Sequence, residues 1–473
     1  MRRLFYYSII LLSLITVVLF YFLKTASGHR NMGYFIEDYL SIQTYNKIRV
    51  LSFNLENYPN ILLSLQINNR ANIYLKGEIS NYDINMTYHL KGNSFTFNDL
   101  YLKDKIDVHG TLFGAFSSLR VTGEGTLFDG DIKYSFINVP HSIRDMNIKM
   151  KRVAFSKIFR FLDEEAYLKG SADIDAKFKL FSKYEKEGKA KIYMQRASIP
   201  KLANNIHFVL NSTIDFEQVE YRYGIDMHSD IGRITLRDGV YHEGTKIAKG
   251  AYEIHLKNLL FLKERYPHDY KGGLDTNGTV GYDGNRAFFS VRGESQQFGG
   301  DLSYLYKKNS IELKLKNLSL ERLLQSFSYP LLFSSNIYGI IKLNLKEKMM
   351  IVNTTLKKTR FKKSRFSDVL YRKLNINILD STYDKSYFSG GYQNNILSTT
   401  LKIDNGKDYI YLTDSKIDVL NNSIYSKFEM KIAGEEIFGK INGTLREPKV
   451  WIDKNRYIIY QTDKHLGNWF RTK

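Results

Sequence analysis

The segment of this chain that comes nearest to a ligand site is Gly272–Gly284 (GGLDTNGTVGYDG), where Asp275, Asn277 and Asp283 stand among glycines. Oxygen ligands on a tight loop suit calcium, but the ligand spacing and closing glutamate of an EF-hand are missing. The segment reads as a hairpin connection, because Asn-Gly and Asp-Gly supply the positive φ of tight turns. Other chemistry is thin. The ten histidines are scattered, and none falls in an H-x-x-x-H or H-E-x-x-H arrangement. No G-x-S-x-G elbow or Walker loop occurs. With no cysteine in 473 residues, disulfides, thiolate metal sites and cysteine nucleophiles are excluded. Asp163-Glu164-Glu165 reads as a solvated loop. The reading assigns no catalytic residue, no metal and no cofactor, and expects no enzyme.

What fills the chain is alternation. In Ser171–Leu180 the apolar positions are Ala172, Ile174, Ala176, Phe178 and Leu180, with charged residues between them. Ile311, Leu313 and Leu315 alternate with Glu312, Lys314 and Lys316, and Ile341, Leu343 and Leu345 repeat the pattern. Successive side chains of a strand point to opposite faces, so these strands have one apolar and one wet face. One-sided alternation argues for antiparallel sheet. Turn signals recur at Lys76-Gly77, His109-Gly110, Asp129-Gly130, Asn277-Gly278, Asp283-Gly284, Asn405-Gly406 and Asn442-Gly443. At roughly 12–15 residues per strand and turn, the body holds on the order of 30 strands. Short helices could form over 155–167 and 320–333. Internal repetition is visible: Ile148–Phe155 aligns with Leu313–Leu320, and a third copy starts at Ile254. The first two copies lead to glycines that open alternating strands, Gly170 and Gly339.

The chain begins with a different pattern. Leu4–Leu23 (LFYYSIILLSLITVVLFYFL) is apolar apart from Ser8, Ser13 and Thr16. Twenty residues at about 1.5 Å each span the roughly 30 Å core of a bilayer. The run exceeds the h-region of a cleaved signal peptide, and Lys24 spoils the cleavage site. Residues 1–30 therefore read as a stub and transmembrane anchor, 31–453 as the β body and 454–473 as a tail. In that tail Ile459, Leu466, Trp469 and Phe470 could share a helical face.

The net charge of +20 suggests an anionic contact. The densest basic run, Lys357–Arg365, reads as a solvated loop or edge strand, where lysine discourages aggregation. Dispersed charge on an anchored protein argues against nucleic acid and fits phospholipid better.

The C-terminal stretch Ile432–Asp453 resembles the closing strands of the AsmA-like superfamily of Gram-negative envelope proteins, which includes TamB-type members. Gly443, Thr444 and Leu445, followed by Pro448, Lys449 and Val450, are similar to that family's recurring ending. The anchor and the glycine-punctuated body add to the likeness, which covers nearly the whole chain. It implies a single inner-membrane helix and a periplasmic body forming an elongated antiparallel β-groove with a few short helices. Along the groove, phospholipid acyl chains would slide between inner and outer membranes. The apolar alternates Ala172, Ile174, Ala176, Phe178, Leu180, Ile311, Leu313, Leu315, Ile341, Leu343 and Leu345 would line it. This chain is much shorter than the large members.

Alternation alone leaves two architectures open, because the same apolar face could be the core of two or three β-sandwiches. A second function also stands: a scaffold or assembly factor for outer-membrane proteins, acting through a sheet edge or the tail.

Overall fold

In a computed structural model the structure describes residues 18–471, apart from 19, 23, 45, 56, 81, 98, 99, 201–205, 265–271, 285–289, 327–330, 332, 419 and 446. Most of the Leu4–Leu23 run lies outside the described residues. Among the described residues no helix is long and apolar enough to cross a membrane. The protein is mainly β, with 26 strands in one open antiparallel sheet and a separate two-stranded hairpin. No second sheet of comparable size exists among the described residues to make a sandwich. The chain divides into two units.

Unit 1 comprises Met1–Ser229 and Val240–Gly244. Helix α1 (Ala26–Thr44) leads into β1 (Ile48–Asn54), β2 (Asn60–Ile67), β3 (Ala71–Ile79) and β4 (Asp83–Gly92). The hairpin β5 (Phe95–Phe97) and β6 (Leu100–Leu102) stands apart from the sheet. Then come β7 (Ile106–Ala115), β8 (Ser118–Leu127), β9 (Gly130–Val139) and β10 (Ser142–Ala154). Helix α2 (Phe155–Phe161) precedes β11 (Ser171–Phe181), β12 (Lys186–Ala197), β13 (Phe208–Gln218) and β14 (Glu220–Ser229). Strand β15 (Gly232–His242) is shared between the units.

Unit 2 comprises Asp230–Gly239 and Thr245–Lys473. It holds β16 (Ile247–Leu256), β17 (Leu274–Asp283), β18 (Ser290–Ser295), β19 (Asp301–Lys307) and β20 (Ser310–Ser319). Helix α3 (Leu320–Ser326) precedes β21 (Phe333–Asn344) and β22 (Met349–Phe361). Helix α4 (Arg365–Leu374) precedes β23 (Ser386–Gln393), β24 (Ile396–Asp404), β25 (Tyr409–Asp418), β26 (Ser423–Ile432), β27 (Glu435–Thr444) and β28 (Pro448–Ile452). Helix α5 (Lys454–Arg471) ends the described chain.

Within each unit every strand pairs with the next strand of the sheet, a meander built from local contacts. Several turns are two-residue loops with both residues at positive φ: Phe128-Asp129, Lys308-Asn309 and Asn394-Asn395. This geometry matches the right-handed twist of the flanking strands.

The repeat read from the sequence is a structural duplication. Arg152 (φ 56°) and Asn317 (φ 59°) occupy matching left-handed positions where the register of β10–β11 and of β20–β21 shifts. Each bulge re-aims the chain into a short helix, α2 or α3. The helix-bearing connections of unit 2 leave from one end of its strands, and hairpins such as Lys308-Asn309 and Asn394-Asn395 lie at the other. In unit 1 helix α2 is tied to its neighbours: Lys157 pairs with Asp104, between β6 and β7, at 2.9 Å and with Asp129, in the β8–β9 turn, at 2.7 Å.

Three readings need correction. Gly272–Gly284 is not a hairpin connection, since Leu274–Asp283 is strand β17, paired on both sides. The basic run is loop only over residues 362–364 and is no edge strand: Lys357–Phe361 ends β22, which lies between β21 and β23, with Thr359 fully buried. Ser364 then caps α4 in a capping box with Ser367. Many glycines taken for turn signals, Gly77, Gly110 and Gly278 among them, lie inside strands.

Candidate functional site

Residues directly opposite one another in an antiparallel sheet point to the same face. Read across unit 1, one such row runs Phe53, Leu63, Leu75, Tyr88, Gly110, Gly123, Tyr134, Ile148, Ala176, Ala190, Ile214 and Tyr223. Every member is apolar, aromatic or glycine. The adjacent row, which includes Leu65, Val108, Ile132, Met150, Ile174 and Ile192, is nearly as apolar. Unit 1 therefore carries a continuous apolar face. Its opposite face bears charged ladders such as Lys91–Asp107 at 3.2 Å and Lys189–Asp215 at 3.0 Å.

Unit 2 repeats the design and grades it. At the hairpin end a row of ten runs Val280, Val291, Tyr306, Ile311, Leu343, Met350, Tyr392, Leu397, Ile417 and Ile424. All ten are only partly buried. At the opposite end, Leu318, Ile337, Leu356, Ile403, Ile410, Met430 and Ile437 are at most 5% exposed. The connection after β22 covers them: Leu370 on α4 and Ile378 and Tyr383 beyond it pack into the same cluster. The face is thus a trough, closed along one side by a helical strap and open along the other.

The sequence-derived residues fall on these faces with two exceptions. Ala172, Ala176 and Phe178 are buried and Ile174 is partly buried on the unit 1 face. Leu313, Leu315 and Ile341 join the unit 2 cluster, and Ile311 and Leu343 sit on its open row. Leu180 is displaced: a register shift between Phe178 and Leu180 puts Phe181 on the apolar face instead, 5.3 Å from the Phe178 ring. Leu345 lies just past the end of β21 and is 48% exposed. Of the C-terminal motif, Gly443 and Thr444 close β27, Pro448, Lys449 and Val450 lie in β28, and Gly443 pairs with Pro448.

Sequence reasoning missed the polar ends of the unit 1 face. Rings run from Phe178 to Phe216 (4.9 Å), Tyr221 (4.9 Å) and Tyr241 (5.7 Å). They end at Lys186, whose Nζ donates to Tyr221 Oη at 2.9 Å and to Glu243 Oε2 at 2.7 Å. Burial would lower the Lys186 pKa, but these two partners outweigh it and hold it above the ordinary lysine value. Burial would likewise raise Glu243, and hydrogen bonds from Lys186 and Tyr221 hold it below the ordinary carboxylate value. The ammonium is neutralised where the apolar face meets water.

Among the described residues no group of three or more His, Asp or Glu side chains could hold a metal ion. His255 and Asp275 hydrogen-bond on an exposed polar surface. What the arrangement offers is a long apolar surface, open along one margin and bordered by water.

No family model matches this chain, and neither does any curated protein or solved structure.

Proposed function

We propose that this protein is a membrane-anchored carrier that holds phospholipid acyl chains on its apolar sheet face and moves them between the inner and outer membranes of a Gram-negative envelope. The AsmA-like resemblance of the sequence and the apolar Leu4–Leu23 run point the same way, with the run as inner-membrane anchor and the body in the periplasm. The observation that carries the reading is the open row of ten in unit 2. At about 4.8 Å between strands, ten strands give roughly 43 Å of continuous apolar surface. One leaflet of hydrocarbon is about 15 Å. A face longer than its ligand suits sliding rather than capture. Each methylene taken from water contributes about 0.8 kcal/mol, while a headgroup at the open margin stays hydrated.

A photoreactive amino acid tests this in the intact envelope. At Leu343 it should yield phospholipid adducts; at Lys342, on the other face, and at Ile437, under the strap, it should not. Equal adducts at all three positions, or none at Leu343, count against lipid on this face.

A further inference from the structure

Helix α1 has two unlike sides. One is fastened to the free edge of β1. Ser41 Oγ accepts the Ile48 N–H at 3.1 Å and Glu37 Oε2 accepts the Val50 N–H at 3.0 Å. His29 packs on Phe53 with ring centroids 6.0 Å apart, and Gly33 lies against Val50. The other side presents Phe35 (67% exposed), Tyr39 (55%) and Ile42 (71%) at helical spacing i, i+4, i+7. The Phe35 and Tyr39 rings stack on each other, 6.4 Å apart.

What precedes α1 says what could cover that stripe. The apolar run ends at Leu23, and the described residues 18, 20–22 and 24 are helical. Thr25 is the non-helical joint: its hydroxyl donates to the Tyr21 carbonyl at 2.7 Å and accepts the Gly28 N–H at 3.0 Å, as an N-cap does. The joint is sharply bent. Residues seven apart in a straight helix are separated by about 10.5 Å along the axis. Here a Cβ on Gly28 would collide with the Tyr21 carbonyl, and Asn31 Nδ2 donates to Tyr21 Oη at 2.8 Å. Continued straight, α1 would carry Ile42 about 28 Å beyond Leu23, outside the interfacial layer. A bend at Thr25 lets α1 run across the axis of the run instead, so that Ile42 can stay at the depth where the run ends.

We propose that α1 lies in the interface of the membrane that holds the Leu4–Leu23 run, with Phe35, Tyr39 and Ile42 at the boundary of phospholipid headgroups and acyl chains. Aromatic side chains favour that depth. Because the opposite side of α1 grips β1, the first strand of the unit 1 face would be held at the bilayer surface, where lipid must enter. The inference rests on the anchored reading above.

The chain has no cysteine, so single labels can be placed cleanly. Full-length Val18→Cys, Phe35→Cys, Ile42→Cys and Lys177→Cys variants would carry an environment-sensitive fluorophore in vesicles of phosphatidylethanolamine and phosphatidylglycerol containing nitroxide lipids. We expect deep nitroxides to quench the Val18 label. Headgroup-proximal nitroxides should quench the labels at 35 and 42 at least twofold more than the label at 177. If those labels behave like the one at 177 while Val18 is quenched, α1 stands off the membrane and the proposal is overturned, with the anchor intact. Cross-linking of Ile42→Cys between chains without quenching would assign the stripe to a second copy and also overturn it. An unquenched Val18 label would remove the anchor reading itself.

Discussion

The hydroxyls of Tyr88 and Tyr134 hydrogen-bond to each other although two strands separate β4 from β9. The residues between them in the row are Gly110 and Gly123, which leave the sheet bare enough for both rings to lean inward. Unit 2 repeats the arch: Tyr252 and Tyr304 meet at 2.5 Å over Gly278 and Gly293. Burial and the shared hydrogen bond push the Tyr88 and Tyr252 hydroxyls well above the ordinary tyrosine value. Both stay neutral on an apolar face.

A methyl group at Gly123 would collide with the Tyr88 hydroxyl and with the Tyr134 ring and hydroxyl. Gly123→Ala should therefore cost about 1–3 kcal/mol, as overpacking does. Combined with Tyr88→Ala it should cost less than the sum of the two single changes, because the clash loses one partner. Urea unfolding of the four proteins measures this, and strict additivity would show that the arch is not what the glycine serves.

The graded face predicts graded sensitivity. Ile437→Ala, under the strap, should lose about 2–5 kcal/mol. Leu343→Ala, on the open row, should lose about 1 kcal/mol or less. Equal losses in denaturant titration would mean that the open row is covered.

Capping of the β1 edge by α1 is also testable. Glu37→Ala with Ser41→Ala exposes the N–H groups of Ile48 and Val50, and each lost hydrogen bond should cost about 1 kcal/mol. An uncovered edge also invites strand pairing between molecules. Concentration-dependent association in sedimentation velocity, absent from the parent, is the expected outcome.

The Lys186–Glu243 pair has a defined acid limit. The folded carboxyl titrates below its ordinary 4.5, so its contribution is complete above that pH and is lost as pH falls through the lower folded value. Glu243 is 42% exposed, which screens the pair to about 1 kcal/mol or less. The stability difference between the parent and Glu243→Gln should be constant from pH 6 to 8 and vanish in acid. A difference that grows in acid contradicts the assignment.

Alternation made the strands and most of the face legible. Ile174, Phe178, Leu313 and Ile341 were readable because side-chain period and sheet face are the same fact. Leu180 was not, because one register shift inverts the pattern without marking the sequence. The glycines misled for a physical reason: beneath a tyrosine, Gly110 and Gly278 serve close approach rather than a turn. Helix α1 escaped notice although Phe35, Tyr39 and Ile42 are spaced helically, because that stripe is short and the side that meets β1 does so through the polar Glu37 and Ser41. Helix α4 carried a faint signal, Ser364 three residues before Ser367, hidden in the basic run. The strap over Ile437 was invisible, since no local pattern says which face a connection will cover.

The most direct measurement is native mass spectrometry of the full-length chain, purified from a Gram-negative envelope, with its lipids extracted and counted, beside Leu343→Glu combined with Ile417→Glu. Both substitutions lie on the partly exposed row, so the fold should survive, checked by far-UV circular dichroism. The account predicts several phospholipids per parent chain and a clear loss in the folded variant. A parent without lipid, or a folded variant that keeps its full complement, would contradict it.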